Sequence, residues 1–298
     1  MIRISDNVNG QRGRPNAPGR TAGRALRRAS SDQQTPDRGA RFRARRSDST
    51  PLGTRFTAHS QDGVELSGVH IPGRTGGPAF VIGHGFTHGV HKPATRAVLA
   101  AFAEYGGAVA VDFRGHGRSG GRSSVGRDET LDLDAAVTWT RAQGYDSVTM
   151  VGFSMGAAVA LRQAAIGAAP PDAMAAVSAP SRWYMRESGP MRKVHWLLET
   201  PLGPVVGRAL GVRLGGPWLD LPASPVEAVS GINCPLLLIH GAADPYFSAL
   251  QAIALQRAAG SAELWIEEGM GHGETATTPA LVGRIASWSA ATLSRERH

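Results

Sequence analysis

Residues Val148 to Leu161 read VTMVGFSMGAAVAL, and their reading decides the fold. The centre, GFSMG, matches Gly-x-Ser-x-Gly. By itself the match is weak. With 38 glycines and 22 serines in the 298 residues, random placement would give roughly a third of one match. A second match exists, GRSGG at Gly117 to Gly121, centred on Ser119. Only the surroundings separate the two. Ser154 follows an apolar run of strand type at once, and a helical run, MGAAVALRQAAIG, starts at the next residue. That is a strand-turn-helix, the setting of a nucleophile elbow, in which side chains at Gly152 and Gly156 would collide with neighbouring backbone. Ser119 lies about seven residues beyond its strand, in RGHGRSGGRSS, and no helix follows it. Ser154 is therefore the candidate nucleophile.

Working outward, the body alternates short apolar runs with helical patterns. TRFTAHS and VELSGVHIP, joined by QDG, read as two strands with a tight turn. PAFVIGHG, GAVAVDFRGHG, SVTMVGFS and DAMAAVSAP read as buried parallel strands. KPATRAVLAAFAEYG and DETLDLDAAVTWTRAQG read as helices between them; the second has acidic residues early and an arginine late, matching the helix dipole. The rhythm lapses at about residues 180–233, then resumes with CPLLLIHGAAD, a helix near Ser248 to Ala259, the strand AELWIEEG and a helix near Pro279 to Ser294. Alternation of this kind predicts an α/β fold with a mostly parallel, doubly wound sheet and helices on both faces. The lapse carries Trp183, Tyr184, Met185, Trp196, Leu197, Leu198 and Trp218 among proline breakers. A structureless loop of that length is uncommon, so it reads as a small helical cap inserted before the last two strands.

The net charge is +8, but residues 1–50 hold 12 arginines against four aspartates and so carry all of it. The remainder has 20 basic and 20 acidic residues. The neutral body removes the charge argument for nucleic-acid binding by the folded part. The tail, residues 1–50, is rich in Arg, Gly, Pro and Ser and is expected to be disordered. Three roles compete for it: binding nucleic acid or an acidic surface by charge; a transit peptide, though its Gly and Pro break the amphipathic helix that needs; or, the favoured reading, an inert segment or sequence translated from a misassigned upstream start. The rest, 51–298, is expected to form one domain with the cap inserted at about 180–233. No apolar run approaches the ~18 residues of a membrane helix. No secretory signal pattern appears, and Cys234 is the only cysteine; both favour a cytoplasmic protein.

A serine at its free pKa is a poor nucleophile and needs a base, which needs an orienting acid. Of the 10 histidines, His272 in EEGMGHGET follows the last strand and can reach the carboxyl edge of the sheet, where sites of open parallel sheets lie. His240 falls inside LLLIHG, and His84 and His116 precede glycines in loops. Asp244 ends LLLIHGAAD and is the favoured acid; Glu267, Glu268 and Glu274 are weaker candidates. Met155, first in its helix, offers a backbone N–H toward a developing oxyanion. His84, His88 and His91 lack a carboxylate or cysteine partner at a diagnostic metal spacing, so no metal or cofactor is expected.

Five separated stretches, GHGFTHG, DFRGHGRSGG, GFSMGA, HGAADPYF and GMGH, occur in the order Ser154, Asp244, His272. In this the chain resembles the α/β-hydrolase superfamily, especially its bacterial serine esterase, lysophospholipase-like and thioesterase-like members. The resemblance implies a serine hydrolase acting on an ester or thioester of a small or medium acyl group. It further implies that the N–H of Phe86 is the second oxyanion donor beside that of Met155. Serine at the elbow sets the chain apart from dehalogenases and epoxide hydrolases of this fold, which place aspartate there. Phe86, Tyr246 and Phe247 are the expected substrate contacts. A cofactor-free haloperoxidase, a carbon–carbon bond hydrolase or a non-catalytic binding protein on the same fold stay open as alternatives.

Overall fold

In a computed structural model, residues 52–216 and 221–296 are described. The arginine-rich tail and Trp218 lie outside them. Eight strands form one sheet: β1 (Thr54–His59), β2 (Glu65–Ile71), β3 (Pro78–Gly83), β4 (Gly107–Val111), β5 (Ser147–Phe153), β6 (Ala173–Val177), β7 (Leu236–Gly241) and β8 (Glu263–Glu267). Their spatial order is β1-β2-β4-β3-β5-β6-β7-β8. β1 and β2 form an antiparallel hairpin, β2 runs antiparallel to β4, and every pairing from β4 to β8 is parallel.

The helices divide between the two faces as strand alternation demands. On β3, Val81 belongs to the core cluster that also holds Leu133 and Val137 of α2 (Glu129–Ala142), Leu161 of α3 (Met155–Ile166) and Leu255 of α7 (Leu250–Ala259). Its neighbours Phe80 and Ile82 face the other way, onto Val98, Leu99 and Phe102 of α1 (Pro93–Phe102) and Leu281, Val282 and Ile285 of α9 (Pro279–Glu296). The central strands are buried on both sides, so their sequences are continuously apolar rather than alternating. β8 closes the sheet as an edge strand and is only partly covered.

The segment between β6 and β7 is helical, as the breakers and aromatic residues predict. It contains α4 (Gly189–Glu199), α5 (Gly203–Ala209) and α6 (Pro225–Ala228). α4 packs on α5, whereas α6 docks on α3 and α7 of the body. Residues 212–214 are stitched to the loop after β4: Arg213 N–H donates to Gly115 O at 2.7 Å and Ser123 N–H to Arg213 O at 2.8 Å. The insertion is thus anchored at both ends over the carboxyl edge of the sheet. Among the described residues no helix is long and apolar enough to cross a membrane.

Candidate active site

β5 ends at Phe153 and α3 begins at Met155, so Ser154 must reverse the chain within one residue. It does so at φ 53°, ψ −118°, a conformation that non-glycine residues rarely adopt. Such a conformation costs on the order of 1–3 kcal/mol and persists only where the surroundings enforce it. Here they do. A Cβ on Gly152 would lie 2.5 Å from Ala157 Cα, and one on Gly156 would lie 2.3 Å from Gly83 O. The helix start therefore seats directly on the ends of β3 and β5, and Ser154 N–H donates to Val177 O of β6 at 2.9 Å.

Three side chains from three loops meet at this turn. Ser154 Oγ lies 2.8 Å from His272 Nε2. His272 Nδ1 lies 2.7 Å from Asp244 Oδ2. With the Nδ1 proton donated to the carboxylate, Nε2 carries the lone pair that can accept the serine proton. Asp244 is fully buried at its side chain. Burial by itself raises its pKa, but the hydrogen bond and charge of His272 and the N–H groups of Tyr246 and Phe247 outweigh it, holding the carboxyl below its ordinary value. Those two N–H groups donate to Asp244 Oδ1 at 2.8 and 3.1 Å. The rings of Tyr246 and Phe247 also flank the imidazole, at centroid distances of 4.3 and 5.5 Å. Both residues line the cavity in front of Ser154. The loop of His272 is tied down from β6 through Gly273 N–H to Ser178 Oγ at 3.2 Å.

Of the weaker acid candidates, Glu267 is engaged by Arg284 at 2.8 Å, and Glu274 has a different place. Its Oε1 accepts the Gly85 N–H at 2.6 Å, one residue before Phe86. From the other side Phe86 O accepts a hydrogen bond from His116 Nε2 at 2.6 Å. The segment carrying the Phe86 N–H is therefore held on both flanks. Neither that N–H nor the one of Met155 has a protein acceptor among the described residues. Burial pushes the Glu274 carboxyl up to about 7. His88, 3.6 Å from Glu274, is held below its ordinary value by burial and by the charges of Lys92 and His272. The position of Glu274 two residues after His272 was visible in the sequence. Its contact with Gly85, 189 residues away, was not.

His84 and His240 are structural in their contacts. His84 is fully buried, accepts the Phe113 N–H on Nε2 at 3.0 Å and donates from Nδ1 to Gly85 O at 2.8 Å. Burial, then the neighbouring His116, keeps it well below its ordinary pKa and so uncharged. His240 is buried with Nε2 3.0 Å from Phe247 O. Among the described residues no group of three or more His, Cys, Asp or Glu side chains could hold a metal ion.

Ser154, His272, Phe86 and Met155 open onto a cavity of about 230 Å³. Its other walls include Trp183, Met191, Val194 and Leu198 from the insertion. Trp183 is buried, with Nε1–H shared between Pro222 O and Ala223 O at 3.1 and 3.2 Å. Tyr184 and Trp196, equally aromatic in sequence, are exposed.

A parallel sheet with a strained serine between strand and helix, facing a histidine and an aspartate from later loops, defines a hydrolase architecture. The model of the alpha/beta hydrolase family matches residues 79–282, and the chain belongs to that family. Solved structures agree in fold. An esterase of Pyrococcus furiosus, Pf2001, superposes with a TM-score of 0.62 at 24% identity, over 81% of this chain and 92% of that one. Est1E of Butyrivibrio proteoclasticus, solved with ferulic acid bound, gives 0.57 at 17% identity over 80% and 99%. The esterase RhEst1 of a Rhodococcus species gives 0.58 at 21% identity over 80% and 98%. A search of curated proteins gives no match.

Proposed function

We propose that this chain is a serine hydrolase that cleaves an ester, or a thioester, of a small or medium acyl group. The observation that carries the proposal is the relay from Ser154 through His272 to Asp244, at 2.8 and 2.7 Å, opening onto an apolar cavity. The esterases of like fold support it.

In the proposed reaction, Ser154 Oγ attacks the carbonyl carbon as its proton passes to His272 Nε2. Asp244 fixes the Nδ1–H tautomer and stabilises the imidazolium. The oxyanion accepts the N–H groups of Phe86 and Met155, the second at the positive end of α3. Collapse expels the alcohol or thiol, which takes the proton from His272 and leaves the acyl group on Ser154. Water, deprotonated by His272, then attacks the acyl enzyme and releases the acid and the free serine. Glu274 acts through Gly85 as a positioning residue for the Phe86 N–H. No step calls on a metal or cofactor.

The test is hydrolysis of p-nitrophenyl butyrate and labelling by a fluorophosphonate probe. Turnover and labelling are expected in the unaltered protein, and neither in Ser154→Ala. Labelling that persists in the variant would sink the assignment; turnover without labelling would move the nucleophile elsewhere.

A further inference from the structure

The cavity in front of Ser154 is small. At about 230 Å³ it falls below the roughly 300 Å³ at which ligand pockets usually begin. It accommodates the reacting ester and little more. A second cavity, of about 360 Å³, lies against it on the side of the insertion. The two share Val125 and Leu198 in their linings, so these side chains stand at the boundary where one cavity meets the other. Beyond that boundary Leu197, Pro201, Pro204 and Leu214 make an apolar wall, beside Glu199 and Thr200. The Glu199 carboxylate is taken by Arg186 and His195, and the buried Thr200 Oγ1 has no hydrogen-bond partner among the described residues. The hydroxyls of Ser123 and Ser124 on the same wall are already donated to Glu129.

Val125 is not placed there by ordinary backbone preference. Its φ is 53°, and for a β-branched residue that is a true outlier. The cause is Glu129, the first residue of α2 and fully buried. Its carboxylate accepts from Ser123 Oγ and the Ser124 N–H on Oε1 at 2.7 and 2.9 Å, and from the Val125 N–H on the same oxygen at 3.1 Å. The Ser124 Oγ and the Gly126 N–H reach Oε2, both at 2.7 Å. Five donors from four consecutive residues wrap one carboxylate, and the loop closes around it with the Val125 side chain turned onto the boundary. Trp183 packs over Gly126 behind it, where a Cβ would meet the indole at 2.4 Å. Backbone strain held by so many contacts marks a position whose side-chain placement matters.

We propose that the second cavity is a subsite for an unbranched alkyl chain of the substrate, which passes Val125 and Leu198 from the reacting ester and ends against Leu197 and Leu214. The subsite rests on the ester-hydrolase reading of Ser154. Val125 sets the width of the passage, and the Glu129 nest fixes Val125.

The experiment compares kcat/KM for octanoyl and acetyl p-nitrophenyl esters, which carry the chain on the acyl side. Octyl and ethyl acetates carry it on the alcohol side. Val125→Phe narrows the passage, and Leu214→Phe fills the far cavity from a residue that does not line the first. Each is expected to lower the long-to-short ratio at least about tenfold on one of the two sides, since even a few methylenes in an apolar pocket discriminate that strongly. The side that responds identifies the source of the chain. Ratios within twofold of the unaltered protein on both sides, in both variants, would overturn the subsite. Hydrolysis of the acetyl ester by the unaltered protein tests the esterase reading separately. Should none be hydrolysed, calorimetric binding of octanoate and acetate decides. Octanoate bound tenfold more tightly, with that preference lost in Leu214→Phe, supports the subsite; no chain-length preference overturns it.

Discussion

Ser154 and Ser119 sit in the same five-residue pattern and have opposite fates. Ser154 Oγ faces a cavity and one imidazole nitrogen. Ser119 is buried, its Oγ donates to Asp112 O at 2.5 Å and accepts the Ser67 N–H at 2.9 Å. Its carbonyl is also taken, by Arg213. Ser119 has spent its hydroxyl on holding the loop after β4 to β2. Among the described residues no histidine side chain bonds its hydroxyl, and a serine so engaged cannot deliver a proton to a base. Glycine serves different ends too. At Gly152 and Gly156 it lets strand and helix approach. At Gly117 and Gly121 it supplies positive φ for a winding loop. The pattern records small residues around a serine, and its meaning comes from what packs against it.

The largest expected effect breaks the comparison outright. Ser154→Ala should lower kcat on p-nitrophenyl butyrate by on the order of 10⁶-fold, as in other triads, with thermal unfolding unchanged because alanine fits the same turn. Retained activity would put the nucleophile elsewhere, Ser119 included. Next comes the group that Ser119 lacks. Asp244→Asn should cost about 10⁴-fold in kcat by favouring the wrong tautomer of His272. A loss below tenfold, with the fold intact by circular dichroism, would remove Asp244 from the relay.

A smaller effect probes the buried carboxylate beside Ser154. The Glu274 pKa is raised by burial from an ordinary 4.5 to about 7. The folded chain thus holds this proton more tightly than the unfolded chain. The contribution is fully present below about pH 4.5 and is lost as pH rises through about 7. The shift corresponds to roughly 3 kcal/mol at 1.36 kcal/mol per unit. Urea unfolding at pH 5 and pH 8 captures most of it. In Glu274→Gln, which keeps an acceptor for Gly85 but cannot ionise, the loss of stability between the two pH values should shrink by about that amount. An equal loss in both proteins would contradict the assignment. The smallest effect sharpens the contrast from the other side. Ser119→Ala should leave kcat/KM within about threefold, yet lower unfolding stability by about 1–3 kcal/mol, because the Ser67 N–H loses its acceptor. Lost activity at unchanged stability would reverse the roles drawn here.

Much was legible in the sequence. The eight strands and the long helices follow from apolar runs broken by glycine, because buried parallel strands and amphipathic helices leave distinct periodicities. Ser154, Asp244 and His272 were nameable because each follows a strand, within five residues of its end, at the same edge of the sheet, where topology alone brings loops together. Trp183, Tyr184 and Trp196 were not separable, because an irregular insertion has no period from which to read which side faces inward. The structure buries the first and exposes the other two.

What the sequence determined by itself, then, is local and periodic: strand, turn, helix, and the order of three residues along one edge. What only the tertiary structure decided is pairwise and distant. Glu274 holds Gly85 across 189 residues. Ser119 pins Ser67 across 52. Val125 is turned by Glu129 onto the boundary between two cavities. A hydrogen bond between remote residues leaves no repeat in the chain; it exists only once the sheet has set the distance between the loops that make it.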